Sequence, residues 1–194
     1  MQNFNSHYWN ERYSKNETGW DLGVISTPLK SYIDQIENKS LRILILGAGN
    51  SYEAEYLWCL GFKNISIIDL ASKPLVEFRN RLPEFPFEQT ILGNFFDLNE
   101  AYDLILEQTF FCALSPSQRT LYVTKCSELL NVKGKLAGVL FNFELTEIGP
   151  PFGGSESEYQ RLFSSYFDLK TLEVCYNSEP SRKNKELFFI FEKK

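Results

Sequence analysis

Short apolar runs alternate with amphipathic stretches along most of the chain. The runs over residues 41–46, 64–69 and 102–107 are rich in Leu and Ile and too short for helices, which predicts buried parallel strands. Between the first two runs, residues 51–60 follow a glycine turn and stop at Gly61, where glycine commonly ends a helix. This alternation of strands and helices predicts an α/β fold.

Serine residues mark the starts of three further helices. Each combines a serine that can cap a helix with a proline just inside it or a glutamate or glutamine three residues later. These serines are Ser72, Ser115 and Ser155. The apolar stripe of the helix that starts at Ser115 is expected to run as far as Leu130. Further strands are expected over residues 87–92 and 134–143.

Two strand-like segments follow, over residues 169–176 and 186–191. The polar turn between them is too short for a crossover helix, so we expect them to pair antiparallel. The predicted architecture is a Rossmann-like α/β fold with a seven-stranded, mostly parallel sheet, an antiparallel C-terminal edge and helices on both faces. We expect residues 1–194 to form a single domain, with an N-terminal lid and helix over residues 1–40 and the core over residues 41–194.

Composition narrows the classes of function. Hydrophobic residues make up 43% of the chain, enough for a buried core, and the net charge of −5 argues against a protein that follows the phosphates of nucleic acid. The chain has no apolar run near the roughly 18–20 residues needed to cross a bilayer. Residues 1–5 lack the basic and apolar regions of a signal peptide. We therefore expect a cytoplasmic protein without nucleic-acid or membrane partners.

Histidine and cysteine usage removes several chemistries. His7 is the only histidine, and it lies in the polar N-terminal stretch, which disfavours a Ser-His-Asp or Cys-His enzyme. Four cysteines lie far apart without a CxxC pair, so we expect reduced thiols and no structural metal site. These cysteines are Cys59, Cys112, Cys126 and Cys175.

A glycine loop and a carboxylate stand at the carboxyl ends of the first two predicted strands. Gly47-Ala48-Gly49 precedes a helix, and the third glycine of a dinucleotide fingerprint is replaced by Tyr52, whose bulk would obstruct a pyrophosphate. The loop therefore favours a nucleoside without phosphates, although such glycines also serve purely structural turns. Asp69, twenty residues after Gly49, can accept hydrogen bonds from both ribose hydroxyls.

S-adenosylmethionine is the usual nucleoside ligand with these requirements. Its sulfonium cation gains about 0.5–2 kcal/mol from a nearby aromatic face. Four rings of this sequence suit that role, or they simply attach the N-terminal segment to the core. They are Trp9, Tyr13, Trp20 and Phe110.

Two motifs in combination are distinctive. They are Trp20-Asp21-Leu22-Gly23 near the N-terminus and Glu107-Gln108-Thr109-Phe110-Phe111-Cys112-Ala113 after the fourth strand. Five further stretches belong to the same pattern: residues 8–13, 27–29, 46–49, 149–152 and 180–183. Along nearly the whole chain, the sequence resembles the S-adenosylmethionine-dependent class I methyltransferases of the thiopurine S-methyltransferase family, in particular the thiol and halide methyltransferase branch.

The resemblance implies that S-adenosylmethionine is the cofactor, S-adenosylhomocysteine the product, and that no metal takes part. It implies that Trp9, Tyr13 and Trp20 form an aromatic lid and that Gly47, Ala48 and Gly49 form a loop at the methionine part of the cofactor. It places the ribose at Asp69 and Leu70 and the adenine at Asn94 and Phe95. It places the polar residues Glu107 and Gln108 beside the cofactor. Glu107 is expected to bind the amino end of the cofactor.

Four residues are expected to form the acceptor pocket: Trp20, Phe110, Phe152 and Arg182. Phe152 stands where plant members of the family have a tyrosine, which favours thiols over halides as acceptors. Arg182 either attracts an anionic acceptor or lies in a surface turn.

The function expected from the sequence is methyl transfer to a small soft nucleophile, such as a thiol, a thiopurine-like compound, a halide or thiocyanate, by in-line displacement. Soft nucleophiles need little help from a general base, which suits a chain with one histidine. The alternatives are a small-molecule O- or N-methyltransferase and a non-catalytic protein that binds S-adenosylmethionine. The expected partner is a small-molecule acceptor, and the protein is expected to be a monomer.

Overall fold

A seven-stranded sheet organises the structure, a computed structural model that describes residues 4–194. Residues 1–3 lie outside the described residues, and the expectations about a signal peptide and about the start of the lid rest partly on them. The strands are β1 (Ile43–Leu46), β2 (Ile65–Asp69), β3 (Thr90–Leu92), β4 (Tyr102–Gln108), β5 (Leu130–Phe141), β6 (Phe167–Val174) and β7 (Glu186–Lys193). The helices are α1 (Ser6–Ser14), α2 (Thr27–Ile33), α3 (Tyr52–Cys59), α4 (Ser72–Arg81), α5 (Arg119–Leu129) and α6 (Glu156–Phe163). Within residues 4–194, no helix has the length and apolar character needed to cross a membrane.

The order of the strands across the sheet is β3-β2-β1-β4-β5-β7-β6. The first five strands are parallel, and β7 pairs antiparallel with both β5 and β6. The Rossmann-like α/β prediction is therefore confirmed. One detail differs from the expectation of an antiparallel strand at the C-terminal edge of the sheet. The antiparallel strand β7 lies between β5 and β6, and β6 is the outermost strand.

Helices cover both faces of the sheet because the central strands are apolar on both sides. In β1, Leu44 and Leu46 belong to one core cluster while Ile43 and Ile45 belong to the other, and all four side chains are buried. Helices α5 and α6 pack on the first face, and α2, α3 and α4 pack on the second. Burial on both faces explains why the sequence of this strand is continuously apolar rather than alternating.

The serine signals predict the helix starts with mixed success. Ser155 accepts a hydrogen bond from the backbone N–H of Glu158 (3.3 Å), as the capping motif predicts. The helix expected after Ser115 starts later, because the backbone carbonyl of Ser115 takes the N–H of Gln118 (2.8 Å) and forms a 3₁₀ turn first. Leu130 begins β5 instead of ending α5.

The N-terminal segment packs on the core through α1. No side chain of α4 caps its own N-terminus; instead Asn10 of α1 accepts hydrogen bonds there from the backbone N–H groups of Ser72 (3.1 Å) and Lys73 (3.3 Å). In return, Lys73 Nζ donates to the carbonyl oxygen of Tyr13 (3.0 Å). These bonds place α1 beside the carboxyl ends of the parallel strands.

Candidate active site

A cavity of about 960 Å³ opens at the carboxyl ends of the parallel strands. Open α/β sheets commonly bind ligands at this edge, and the volume suits a nucleoside cofactor together with a small second molecule. The walls come from the N-terminal segment, the loops after β1 to β5 and the segment before β7. The predicted site residues on these walls are Trp9, Tyr13, Trp20, Gly47, Asp69, Leu70, Asn94, Phe95, Phe110 and Arg182.

Two glycines give the loop after β1 its shape. Gly47 and Gly49 have φ angles of +51° and +50°, a region that favours glycine. A Cβ atom at Gly47 would overlap the ring of Phe110, and one at Gly49 would lie 2.8 Å from the hydroxyl of Tyr13. The loop is therefore held close to two aromatic walls of the cavity.

Asp69 is buried at the end of β2 and also faces the cavity. Its Oδ2 accepts a hydrogen bond from the N–H of Gly49 (2.8 Å), and its Oδ1 accepts one from the N–H of Ala71 (2.7 Å). Burial raises the pKa of this carboxyl, and the neighbouring backbone N–H groups oppose the rise. Each oxygen keeps further acceptor capacity for a ligand hydroxyl.

The wall beyond Asp69 is mainly apolar. Phe95 lies edge-on to Phe110, with ring centroids 5.5 Å apart, and Leu70 lies beside them on the same wall. Asn94 Oδ1 accepts a hydrogen bond from the N–H of Phe96 (3.1 Å), which fixes the turn that carries this wall. A flat heterocycle suits such a slot, because one polar side chain stands among aromatic and aliphatic groups.

The N-terminal aromatic residues form a packed cluster. The indole of Trp20 lies edge-on to Trp9 (5.4 Å between centroids) and to Tyr13 (5.7 Å). Trp9 Nε1 donates a hydrogen bond to the carbonyl oxygen of Phe4 (3.1 Å). Because all of these residues also line the cavity, the cluster both attaches the segment and forms part of the wall.

Three cationic side chains line the cavity, and two of them, Arg12 and Arg182, contact Trp20. Arg182 is only 8% exposed, and its Nη2 donates to the carbonyl oxygen of Trp20 (2.6 Å). Its Nη1 lies 3.4 Å from Glu186. The surface-turn alternative for Arg182 is therefore wrong. Arg12 and Lys185, which the sequence did not single out, lie on the same cavity wall.

Phe152 lies outside the cavity wall. Its ring packs against Gly149 and lies 6.0 Å from the ring of Phe4, and the wall at this place consists of Pro150 and Pro151. The structure therefore does not bring this ring to the acceptor end, and the argument from its missing hydroxyl loses its basis in geometry. Phe141 and Phe143, at and after the end of β5, line the cavity instead.

Glu107 is completely buried and turned into the protein. Its Oε1 accepts hydrogen bonds from the N–H groups of Phe110 (2.7 Å) and Phe111 (3.0 Å), and its Oε2 accepts one from the hydroxyl of Tyr122 (2.7 Å). Burial raises the pKa of this carboxyl to about 7. The structure does not bring Glu107 to the cavity wall; its hydrogen bonds hold the loop that carries Phe110.

A second, smaller pocket of about 60 Å³ adjoins the main cavity. Gln108, Ala48 and Gly49 line it, and Gln108 Oε1 accepts a hydrogen bond from the hydroxyl of Ser26 (2.8 Å). Residues shared with the main cavity connect the two spaces; they are Tyr13, Trp20, Gly47 and Thr109. Glu53 also lines this pocket, and sequence reasoning missed it, although an acid in the first helical turn after a glycine loop was the available signal.

Metal ligation has no structural basis in the part of the chain that the structure describes. Within residues 4–194, His, Cys, Asp and Glu side chains form no group of three or more that could hold a metal ion. The charged groups on the main cavity wall are one carboxylate, Asp69, and three cationic side chains, those of Arg12, Arg182 and Lys185.

Sequence comparisons match nearly the whole chain to one family. The family model for thiopurine S-methyltransferase (TPMT) matches residues 4–194. The chain is 30% identical over 171 residues to the probable thiol methyltransferase 2 of Arabidopsis thaliana, covering 84% of this chain and 74% of that protein. It is 24% identical over 184 residues to the thiopurine S-methyltransferase of Teredinibacter turnerae, covering 86% of each.

A comparison of structures supports the fold. The 1,6-didemethyltoxoflavin-N1-methyltransferase of Burkholderia thailandensis, solved with bound 1,6-didemethyltoxoflavin and S-adenosylhomocysteine, superposes with a TM-score of 0.73. The match covers 100% of this chain and 92% of that one at 15% identity. At this identity the likeness establishes the shared fold.

Proposed function

We propose that this chain, which belongs to the thiopurine S-methyltransferase family, methylates a small thiol-type acceptor held in the cationic, aromatic end of its cavity. The chain is an S-adenosylmethionine-dependent methyltransferase, as its family membership shows. One observation carries the assignment of the acceptor end: Arg12, Arg182 and Lys185 line the cavity, and the first two contact Trp20.

The residues present fit the cofactor. Asp69 faces the cavity beside the glycine loop with acceptor capacity left for ribose hydroxyls. At Gly47 a side chain would overlap the ring of Phe110, so the glycine lets the loop and this ring lie close together on the cavity wall. The apolar slot that contains Asn94 and Phe95 suits adenine. S-adenosylmethionine, when bound, supplies an electrophilic methyl group on a sulfonium.

The protein's own contribution is positioning and the exclusion of water. The packed rings of Trp9, Tyr13 and Trp20 separate the cavity from solvent on the N-terminal side. A thiol reacts as its thiolate, and the positive charges of Arg182 and Lys185 favour that anionic form. The thiol releases its proton to water as it binds, and transfer then requires that the thiolate is held in line with the methyl group.

Alcohol and amine acceptors fit this end less well. Such acceptors commonly need a general base within hydrogen-bond reach. Of the described residues that line the main cavity, Asp69 is the one carboxylate, and none is a histidine. Asp69 lies at the ribose end in our assignment, so an alcohol would find no base near the cationic end.

Several further properties follow from this proposal. Residues from both the N-terminal segment and the segment near Arg182 form the cavity walls, which supports one domain over residues 1–194. A net charge of −5 supports a small-molecule acceptor over nucleic acid as the partner. We propose a cytoplasmic monomer, in keeping with the sequence-based expectation.

A transfer assay with matched acceptors tests the function. The purified protein is incubated with S-adenosylmethionine carrying a labelled methyl group and with thiophenol, thiocyanate, iodide or catechol. We expect thiophenol to be methylated at least about tenfold faster than catechol, because the site offers cations but no base. Faster transfer to catechol would contradict the thiol-type acceptor. Binding of S-adenosylhomocysteine by calorimetry without transfer to any acceptor would favour a non-catalytic binding protein.

A further inference from the structure

Trp20 lines both the main cavity and the smaller pocket beside it, so its position shapes both spaces. Its ring lies edge-on to Trp9 and Tyr13, and its carbonyl oxygen accepts a hydrogen bond from Arg182 (2.6 Å). Residues 15–26 around it form neither helix nor strand, so no ladder of backbone hydrogen bonds fixes this tryptophan. Its position therefore depends on individual contacts with the rest of the protein.

Asp21, the next residue, joins this segment to the loop after β1. Its Oδ2 accepts a hydrogen bond from Asn50 Nδ2, and its Oδ1 accepts one from the backbone N–H of Gly23 (2.7 Å). Asp21 and Asn50 are both half-buried and lie 29 residues apart in sequence. Hydrogen bonds to a charged acceptor are roughly twice as strong as bonds between neutral groups. Asn50 therefore ties the loop after β1 to the residue that follows Trp20.

The main chain of Asn50 is itself anchored by α4. Arg81, at the end of that helix, donates a hydrogen bond from Nη2 to the backbone carbonyl oxygen of Asn50. The same guanidinium pairs with Glu55 of α3 (3.2 Å), and its central carbon lies 5.4 Å from the centre of the Tyr52 ring. Two helices thus hold the residue whose side chain holds Asp21.

The shape of the loop does not require an asparagine at position 50. The neighbouring residues Gly49 and Ser51 have φ angles of +50° and +60°, whereas Asn50 is outside the left-handed region. Other residue types could adopt its backbone conformation without strain. The specific contribution of this side chain is therefore its hydrogen bond to Asp21.

We propose that Asn50 is a positioning residue for methyl transfer, which holds Trp20 on the cavity wall through its bond to Asp21. The inference rests on the proposed function, in which the acceptor lies near the cationic side chains that contact Trp20. Arg182 holds the carbonyl oxygen of this tryptophan, and Asn50 holds the side chain that follows it. A shifted ring changes both the fit of the acceptor and the access of water, and a displacement of about 1 Å can slow a reaction about 100-fold.

Exchanging the donor and the acceptor of this hydrogen bond is the test. Asn50→Asp places a second carboxylate against that of Asp21, so the two side chains repel each other. The double variant Asn50→Asp/Asp21→Asn restores a bond between the same positions and keeps an acceptor for the N–H of Gly23. We expect kcat/KM for thiophenol to fall about 10- to 100-fold in Asn50→Asp and to return to within about threefold of wild type in the double variant.

The matched control is Asn99→Asp, at an exposed loop position, which should methylate thiophenol like the wild type. An equal loss of kcat/KM in the single and the double variant would overturn the proposal, because restoring the bond would then have no effect on transfer.

Hydrogen exchange over residues 19–26 is a second readout that needs no turnover. Exchange there should be faster in Asn50→Asp than in the wild type and slow again in the double variant, while the strands exchange as before. Loss of transfer in Asn50→Asp without faster exchange in this segment would contradict the proposal. A wild-type protein that methylates no acceptor would overturn the proposed function and with it the role of Asn50 in transfer. The exchange pattern then decides separately whether the bond holds Trp20.

Discussion

At the scale of single residues, Asp69 has two roles that the sequence did not separate. Its position predicted a ribose ligand, and the structure adds that its oxygens accept the N–H groups of Gly49 and Ala71. The same carboxylate therefore joins the glycine loop to the end of β2. A test of its role in binding must allow for its role in stability.

We expect Asp69→Ala to lower the free energy of unfolding by about 1–3 kcal/mol, because it leaves two buried N–H groups without acceptors. It should also weaken cofactor binding. Asp69→Asn keeps an acceptor oxygen, so its loss of stability should be smaller. Urea unfolding and calorimetry with S-adenosylhomocysteine measure the two effects, with Asp97→Ala, an exposed position, as the control. Unfolding of Asp69→Ala at the same urea concentration as the wild type would contradict the structural role.

The buried carboxyl of Glu53 predicts a pH dependence of stability. Burial raises its pKa from 4.5 to about 7, with Asp21 adding to the rise and Arg182 opposing it. Between these values the folded protein holds a proton that the unfolded chain has released, so the contribution of this group to stability falls as the pH rises. Without ligand, Glu53→Gln should match the wild type near pH 4.5.

At pH 8 the same variant should be about 1–3 kcal/mol more stable than the wild type, because glutamine carries no charge to bury. Urea unfolding at both pH values measures this difference. A difference that does not grow with pH would show that Glu53 is not the group responsible.

At the scale of elements, α1 and α4 form a unit that the sequence did not reveal. Asn10 is on one helix and supplies the cap of the other, 62 residues away in sequence. A capping residue normally lies next to the helix that it caps, and the sequence accordingly pointed to Ser72 as the cap. Long-range caps of this kind depend on how helices pack and cannot be found by spacing.

We expect Asn10→Ala to lower stability by about 1 kcal/mol, the usual effect of losing a cap. Hydrogen exchange should become faster over residues 4–20, since α1 loses its bonds to α4, and the KM for the cofactor should rise. The sheet should exchange as in the wild type. Asn99→Ala, at an exposed loop position, is the control. Unchanged exchange over residues 4–20 would show that the aromatic cluster alone holds the segment.

The loop after β4 shows why site residues are harder to predict than strands. The sequence placed Glu107 at the end of a strand, which suggested a ligand-binding acid. In the structure, Thr109 adopts a left-handed conformation (φ +59°), and the chain turns back on the carboxylate of Glu107. Glu53 in contrast looked like an ordinary acid in the first turn of a helix, where the helix dipole favours it. Local sequence therefore did not indicate that the turn after β4 would enclose Glu107, or that Glu53 would line a pocket.

At the scale of the whole molecule, the sheet and its flanking helices followed from sequence because their signals are local. The apolar run of β1 predicted burial on both faces, and the short polar turn between β6 and β7 predicted an antiparallel pair. The insertion of β7 between β5 and β6 depends on contacts between distant segments. The same holds for Arg182, which reaches the carbonyl of Trp20 across 162 residues of sequence.

The place of β7 between β5 and β6 has a consequence for the synthesis of this protein. The ribosome releases β6 before β7, so β6 has no strand to pair with until the later segment emerges. A nascent chain at that stage exposes an unpaired strand that contains Phe167, Leu169 and Leu172. Unpaired strand edges and exposed apolar side chains promote aggregation and are bound by chaperones. Arg182 lies between β6 and β7 in sequence, so its bond to Trp20 also has to wait until this segment has been synthesised.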